Sequence, residues 1–367
     1  MEGSFSATNR ESYKVDDECM LEDNNISNNL LKASQYNDKL IDSSGRIARK
    51  LRISITDRCN MRCVYCMPTN NTKWFDQNDV LSYEEIVRLV NILVTLGVEK
   101  IRVTGGEPLV RPKVEDLIGA LSKIKGIKVI SMTTNGLLLH DKAKQLKDAG
   151  LTSINVSLDS FKAETFRAMG GVNGVDKVLA SIRAADYAGL KLKINTVIIR
   201  GWNEHEVVGF ASFARATGYT VRFIEFMPLD GSGIWEPKLV FSMREMIEMI
   251  NKNVGEIKPL HNEDNSEPAS LYSFADNKGT IGFIPSMTQP FCSNCDRVRI
   301  TSDGRFLTCL FENPGHDLKS LMRSGKSDDD IRRYILECIK KKPEGVVSII
   351  RTNKLRPRLN LMHTIGG

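Results

Sequence analysis

Histidine is scarce in this sequence, with five residues in 367. A zinc site built from three cysteines normally takes a fourth protein ligand, often histidine, so zinc is disfavoured as the metal for the cysteine groups met below. Aromatic residues make up 7% and lie scattered. Proteins that grip single strands interleave aromatics with basic residues, so the non-enzyme alternative, a zinc-dependent nucleic-acid-binding protein, lacks its signature, and no nucleic-acid partner is expected. No run of about 18 or more apolar residues occurs, which argues against a membrane span. The start of the chain has no compact apolar core of the secretory kind, nor the Arg-rich, acid-poor composition of a transit peptide. We therefore expect a cytoplasmic protein, with the mitochondrial matrix as the alternative.

What is present is an ordinary globular balance of 41% hydrophobic and 26% charged residues. The net charge of +6 is uneven: residues 1–46 hold nine acidic and five basic side chains, a net of −4, which leaves +10 for the rest. An excess of that sign suits a nucleotide or another anion. The acidic stretch, with "DNNISNN" and no sustained periodicity, reads as a disordered or loosely docked leader.

From residue 50 a rhythm sets in: "LRISIT", "KIRVTG", "KVISMTTNG", "SINVSLD", "KLKINTVII" and "TVRFIEFMP", with amphipathic helical patterns between them. In "SYEEIVRLVNILVTLG" the pair Ser82 and Glu85 forms a capping box. Six strand-then-helix units over 47–230 imply an α/β fold, a partial (β/α)6 barrel of the TIM type, whose ligands gather at the carboxyl ends of the strands. After residue 230 the rhythm decays, and a smaller C-terminal region, 231–367, is expected to cover the open side.

The cysteines fall mostly into two tight groups, a metal-binding pattern and not a disulfide framework. In "CNMRCVYCMP" after the first strand, Cys59, Cys63 and Cys66 supply three thiolates. On a [4Fe–4S] cluster three thiolates leave one iron free to chelate the amino and carboxylate groups of S-adenosylmethionine. "GGEP" (Gly105, Gly106, Glu107, Pro108) at the next strand end offers side-chain-free backbone for close approach to that cofactor. A second group, Cys292, Cys295 and Cys309, again numbers three. One cluster cannot use six thiolates, so two [4Fe–4S] clusters are implied. Cys19 and Cys338 read as incidental.

Cations recur on the strands. Arg297 and Arg299 share one side of an extended segment by its two-residue period, Lys100 and Arg102 share a face, and Arg52 and Lys193 stand on other strands. Inward-facing cations are costly unless they meet an anion, and arginine forks match phosphate. A polyphosphate ligand is expected.

The cysteine triplet with Tyr65 before its last member, followed by "GGEP", resembles the radical S-adenosylmethionine superfamily. The two triplets, "CDRVR" between them and the ending "MHTIGG" resemble its GTP 3′,8-cyclase family, the molybdenum cofactor biosynthesis protein A family. The resemblance implies that the first cluster reductively cleaves S-adenosylmethionine. The resulting radical takes hydrogen from C3′ of GTP, which then bonds to C8 to give 3′,8-cyclo-7,8-dihydro-GTP. It implies that Tyr65, Gly105, Gly106, Glu107, Ser157 and Met227 line the cofactor. Arg52, Lys100, Arg102, Thr133, Lys193 and Arg297, Val298 and Arg299 would contact GTP. The second cluster would hold the guanine. Gly366 and Gly367 either fray, as terminal glycines commonly do, or thread into the barrel mouth near Arg52, where side-chain-free backbone can pass close to the cofactor. An external electron donor, a downstream cyclic pyranopterin monophosphate synthase and a homodimer are the implied partners. The rival within the superfamily is a peptide-modifying maturase, which lacks the "CDRVR" and Gly-Gly combination.

Overall fold

The β-branched runs become six parallel strands: β1 (Lys50–Ser54), β2 (Lys100–Thr104), β3 (Val129–Thr134), β4 (Ser153–Ser157), β5 (Lys191–Ile198) and β6 (Thr220–Glu225). In the computed structural model, residues 39–67, 74–230, 233–261, 266–346, 349 and 362–366 are described. Helices such as Tyr83–Thr95, Val175–Tyr187 and Val207–Thr217 return the chain between strands. The first opens on the expected capping box, the Ser82 hydroxyl accepting from Glu85 N–H while the Glu85 carboxylate accepts from Ser82 N–H. Such a box satisfies two N–H groups that a helix start otherwise leaves unpaired.

Six further strands complete the sheet: β7 (Ile257–Pro259), β8 (Ser270–Phe274), β9 (Thr280–Ile284), β10 (Arg297–Ile300), β11 (Arg305–Leu307) and β12 (His316–Asp317). The order is β12-β11-β10-β1-β2-β3-β4-β5-β6-β9-β8-β7. The C-terminal region therefore extends both edges of the curled sheet. β10 lies parallel to β1, and β9 parallel to β6. The 230 boundary divides the sequence but not the sheet.

Alternation along each strand separates two environments. Leu51, Ile53, Ile101, Val103, Val298 and Ile300 are fully buried in the hydrophobic core. Burying each such side chain contributes about 1.5–3 kcal/mol, and cutting Ile53 to alanine would cost about 2–5 kcal/mol. The opposite face carries Arg299, Arg52, Arg102 and Ser131 in register across four adjacent strands. Val298 therefore points away from that row. Its side chain is core, so the expected ligand contact there reduces to main chain.

The packed body begins earlier than the leader reading places it. Residues from Leu40 onward form one unit. Leu40 is fully buried, its N–H donates to Leu96 O (3.2 Å) and its carbonyl accepts from Ala48 N–H (2.8 Å). Two adjacent apolar residues, Leu40 and Ile41, in a polar stretch set up no period to betray them. Residues 1–38, with Cys19, lie outside the described residues.

Candidate active site

Cys59, Cys63 and Cys66 lie in the loop that leaves the carboxyl end of β1. That loop is clamped from two sides. On one, Arg62 N–H donates to Gly170 O (2.8 Å) and Val64 N–H to Met169 O (2.9 Å). On the other, Gly106 N–H donates to Thr56 O (2.6 Å) and Glu107 N–H to Arg58 O (2.9 Å). A Cβ on Gly106 would collide with the carbonyl oxygens of Asp57 and Arg58. The "GGEP" glycine is thus required by the cysteine loop itself.

Glu107 is fully buried, and protein donors occupy both its oxygens: Leu109 N–H (3.0 Å) and the Thr134 hydroxyl (2.7 Å) on Oε1, Asn135 N–H (2.7 Å) on Oε2. Burial pushes its carboxyl up to about 7 against those hydrogen bonds. Burial, and secondarily the Glu107 charge, push the Cys59 thiol up to about 11. The Cys63 thiol is raised by burial, by Asp159 and by the other two cysteines. Three half-buried thiols, disfavoured as thiolates by burial and, for Cys63 and Cys66, by their cysteine neighbours, suit a shared positive centre.

A small cavity beside the triplet is lined by Met61, Cys63, Tyr65, Asn135, Ser157 and Asp159, among others. Tyr65 donates to Asp159 Oδ2 (2.6 Å), and burial raises that carboxyl to about 6. The structure thus brings Tyr65 and Ser157 to the triplet, while Met227, just past β6, is not among the cavity's lining residues. Asn135 and Asp159 were missed by sequence reasoning, although "TTNG" and "SLD" end their strands on this rim.

The barrel interior carries the cations. Besides the Arg299–Arg52–Arg102 row, Lys193 stands level with Asn155, itself opposite Thr133, and Arg222 donates to Asn195 Oδ1 (2.9 Å). Arg222 was overlooked in "TVRFIEFMP", though its place between Thr220 and Ile224 puts it on the inner face. Burial, then repulsion from Arg299, Arg297, Arg102 and Arg222, lowers Arg52 far below the ordinary guanidinium value. Burial brings Arg102, Arg222 and Arg299 down to about 10. Arg102 Nη1 and Arg297 Nε and Nη2 are buried without a hydrogen-bond partner. Lys100 begins β2 beside Lys50, whose ammonium meets Glu267 (3.2 Å) and Asp296 (3.3 Å).

The second triplet lies at the opposite rim. Cys295 directly precedes β10, whose Arg297 pairs with Lys50 at the start of β1, and Cys309 follows the antiparallel β11. At roughly 3.3 Å per residue, five-residue strands separate the two rims by about 17 Å. Burial alone would raise the Cys295 thiol; Arg297 and Lys342 hold it below its ordinary value. No cysteine among the described residues is in a disulfide, and no three His, Cys, Asp or Glu among them close on a single ion. Two sets of three soft thiols fit iron–sulfur clusters.

Gly366 reaches the interior. Its carbonyl accepts from Arg299 Nη1 (2.5 Å) and it is buried against Ser54 and Thr104. The partner it finds is Arg299, the neighbour of Arg52 in the row. Behind it, the His363 ring meets Trp74 edge-on at 5.8 Å. Gly367 lies outside the described residues.

A cysteine triplet on the carboxyl rim of a partial parallel barrel, clamped by a Gly-Gly-Glu-Pro turn, defines a radical S-adenosylmethionine protein. The model of the radical SAM superfamily matches residues 53–214, and that of Molybdenum Cofactor Synthesis C matches 219–347. Crystal structures of Streptococcus suis SuiB share the fold. One superposes with a TM-score of 0.57 at 14% identity over 84% of this chain and 69% of that one. Another, bound to S-adenosylmethionine, gives 0.56 at 16% identity over 83% and 75%. At higher identity, the GTP 3′,8-cyclase of Rhodopirellula baltica is 43% identical over 89% of this chain and 92% of its own length. The mitochondrial GTP 3′,8-cyclase of Arabidopsis thaliana is 38% identical over 90% and 85%. The chain belongs to the GTP 3′,8-cyclase family. Membership of the superfamily brings with it a [4Fe–4S] cluster and S-adenosylmethionine.

Proposed function

We propose that this chain converts GTP to 3′,8-cyclo-7,8-dihydro-GTP in molybdenum cofactor biosynthesis. The observation that carries the reading is the buried cation set between the two cysteine triplets, with unpartnered guanidinium N–H groups on Arg102 and Arg297. Buried charge without a partner costs several kcal/mol, and a triphosphate answers that need.

Cys59, Cys63 and Cys66 would hold the first cluster. When bound, that cluster and S-adenosylmethionine supply the one-electron chemistry that opens C3′ of GTP to bonding with C8. The chain's own residues position the reactants. Glu107 holds the Thr134–Asn135 turn, Gly105 and Gly106 seat the Gly-Gly-Glu-Pro turn on the cysteine loop, and Asp159 fixes the Tyr65 ring at the cofactor cavity, with Ser157 in its wall and Met227 beyond. Arg52, Arg102, Lys193, Arg222, Arg297 and Arg299 bind the triphosphate, with Lys100 and the main chain of Val298 near its amino-rim end and Thr133 facing the sugar. Cys292, Cys295 and Cys309 would hold a second cluster, which would supply a binding site for the guanine. Gly366 and Gly367 close the interior and orient Arg299. Holding two reactants in attacking geometry is the larger part of such catalysis.

We assign the radical chemistry to residues 47–230 and the auxiliary cluster to 231–367. An external reductant and a downstream cyclic pyranopterin monophosphate synthase complete the sequence of events, and a homodimer is the proposed assembly. Among the described residues no helix is long and apolar enough to cross a membrane. We place the protein in the cytoplasm, with the mitochondrial matrix, where the plant relative is named, as the alternative. The test is anaerobic incubation with GTP, S-adenosylmethionine and dithionite, followed by mass analysis of the nucleotide. A product isomeric with GTP carrying the new C3′–C8 bond is expected; unchanged GTP beside cleaved S-adenosylmethionine would overturn the assignment.

A further inference from the structure

Two buried cations from distant parts of the chain hold the second cysteine loop by its main-chain oxygens. Arg46, its side chain 8% exposed, donates through Nη1 to Cys292 O (2.8 Å) and to Glu344 O (2.8 Å), and through Nη2 to Pro343 O (2.8 Å). Its Nε is paired with Asp42 Oδ2 at 2.7 Å. Lys342, 5% exposed, donates through Nζ to Cys295 O and to Arg297 O, both at 3.0 Å. The segment that carries Lys342 lies flush on the loop: a Cβ on Gly345 would collide with Cys292 Cβ and lie 2.9 Å from its Sγ.

The two cations differ in one respect. Arg46 has a carboxylate partner within bonding distance, so the Asp42–Arg46 pair brings little net charge and mainly ties three carbonyls together. Lys342 donates to two neutral carbonyls and has no carboxylate within bonding distance among the described residues, so its charge faces the loop directly. Cluster reduction potentials follow net charge and hydrogen bonding near the sulfurs. A buried cation favours the more negative, reduced state.

We propose that Lys342 is a positioning residue that sets the charge state of the second cluster, raising its reduction potential, while Arg46 fixes the loop that holds it. This rests on the two-cluster reading above. The strained alternative, that Lys342 is a surface lysine folded inward, fails on its burial and its two bonds to the ligand loop.

The experiment uses the full chain with Cys59, Cys63 and Cys66 all changed to alanine, reconstituted anaerobically so that only the second cluster forms. Iron content, far-UV dichroism and an electron paramagnetic resonance redox titration are measured for this background and for added Lys342→Gln, Lys342→Arg and Arg46→Gln. Lys342→Gln keeps a donor and removes the charge. Its ratio of reduced to oxidised cluster at fixed potential should fall about tenfold, which is 59 mV for a one-electron couple, with iron content unchanged. Lys342→Arg should titrate like the background. Arg46→Gln, made together with Asp42→Asn so that the pair is removed without a change of net charge, should leave the potential in place and speed iron loss to a chelator about tenfold. An unchanged titration for Lys342→Gln, or iron loss from it with dichroism intact, would overturn the charge-setting role. A background protein that binds no iron would instead overturn the second cluster itself, so the two failures are distinguishable.

Discussion

Changing Gly366 to alanine tests whether the tail works from inside the barrel. Gly366 sits at φ +78°, in the left-handed region, where a side chain adds about 1–2 kcal/mol of strain. Its new Cβ would also overlap the Thr104 hydroxyl, so the backbone must withdraw. Withdrawal breaks the bond from Arg299 to Gly366 O, a charge-assisted contact of about 1.5–3 kcal/mol. Together these come to about 2.5–5 kcal/mol, which lowers the docked population by about 60- to 4,000-fold. The assay is product formed per chain under anaerobic conditions, beside iron content and S-adenosylmethionine cleavage. We expect iron unchanged, cleavage retained and cyclised product down at least tenfold. Adding Thr104→Ala removes the overlap but not the strain and should recover part of the loss. Wild-type product formation by Gly366→Ala would show that the tail's place in the interior has no bearing on turnover.

Replacing Cys59, Cys63 and Cys66 together should halve the iron and abolish S-adenosylmethionine cleavage, whereas replacing Cys292, Cys295 and Cys309 should halve the iron and leave the first cluster reducible; full iron in either variant would refute the assignment. Arg297→Ala should weaken GTP binding about 10- to 150-fold, since each charge-assisted hydrogen bond contributes about 1.5–3 kcal/mol, with a smaller loss for guanosine; equal losses in isothermal titration would mean that Arg297 does not read phosphate. His363 is buried and pushed down to about 4, by burial first and then by Arg62. The docked tail therefore holds it neutral: docking is at full strength above the ordinary histidine value near 6.5 and is lost as pH falls from there towards 4. Trp74 fluorescence should change over that window in the wild type and stay flat in His363→Phe; a flat wild-type trace would disprove the linkage.

Much of the architecture could be read in advance because it rests on periodicity. The six strands, the capping box at Ser82 and the inward side of Arg52, Arg102, Arg297 and Arg299 all follow from spacings of two or of three to four residues. What escaped is what periodicity cannot encode. Leu40 packs from a stretch with no pattern, and Arg46 reaches the loop of Cys292 across 246 positions of sequence. Val298 was grouped with its arginine neighbours by motif, although alternation places it in the core. Asp159 is a one-off carboxylate whose use depends on which loops converge, and Glu107, legible in its motif, turns out to commit its oxygens to Leu109, Thr134 and Asn135. The order of the strands also had to be seen. Only the pairing of β10 with β1 shows that the second triplet sits at the amino rim, and that the GTP-contact candidates line the path between the triplets.

That placement explains why so expensive an interior is kept. Repulsion among Arg52, Arg102, Arg222, Arg297 and Arg299 opposes folding, and the described chain offsets it only in part. Asn195 takes one bond from Arg222, Gly366 takes one from Arg299, and Glu267 draws on Lys50, Lys193 and Arg222, which hold its carboxyl below the ordinary value despite its burial. Among the described residues, Arg102 Nη1 and Arg297 Nε and Nη2 have no hydrogen-bond partner, and the Arg297 guanidinium lies over the Phe291 ring at 4.5 Å. A polyanion entering the barrel interior would therefore be bound by relief of a strain already built in, with little new ordering of side chains. Because the arginine row lies between the two triplets, binding by its phosphates would leave a nucleotide's sugar and base where the cysteine loops can reach them. The same cations that bind also exclude: a neutral or cationic peptide gains nothing from this interior. A chain with this sheet but without these arginines would keep the radical machinery and lose the nucleotide.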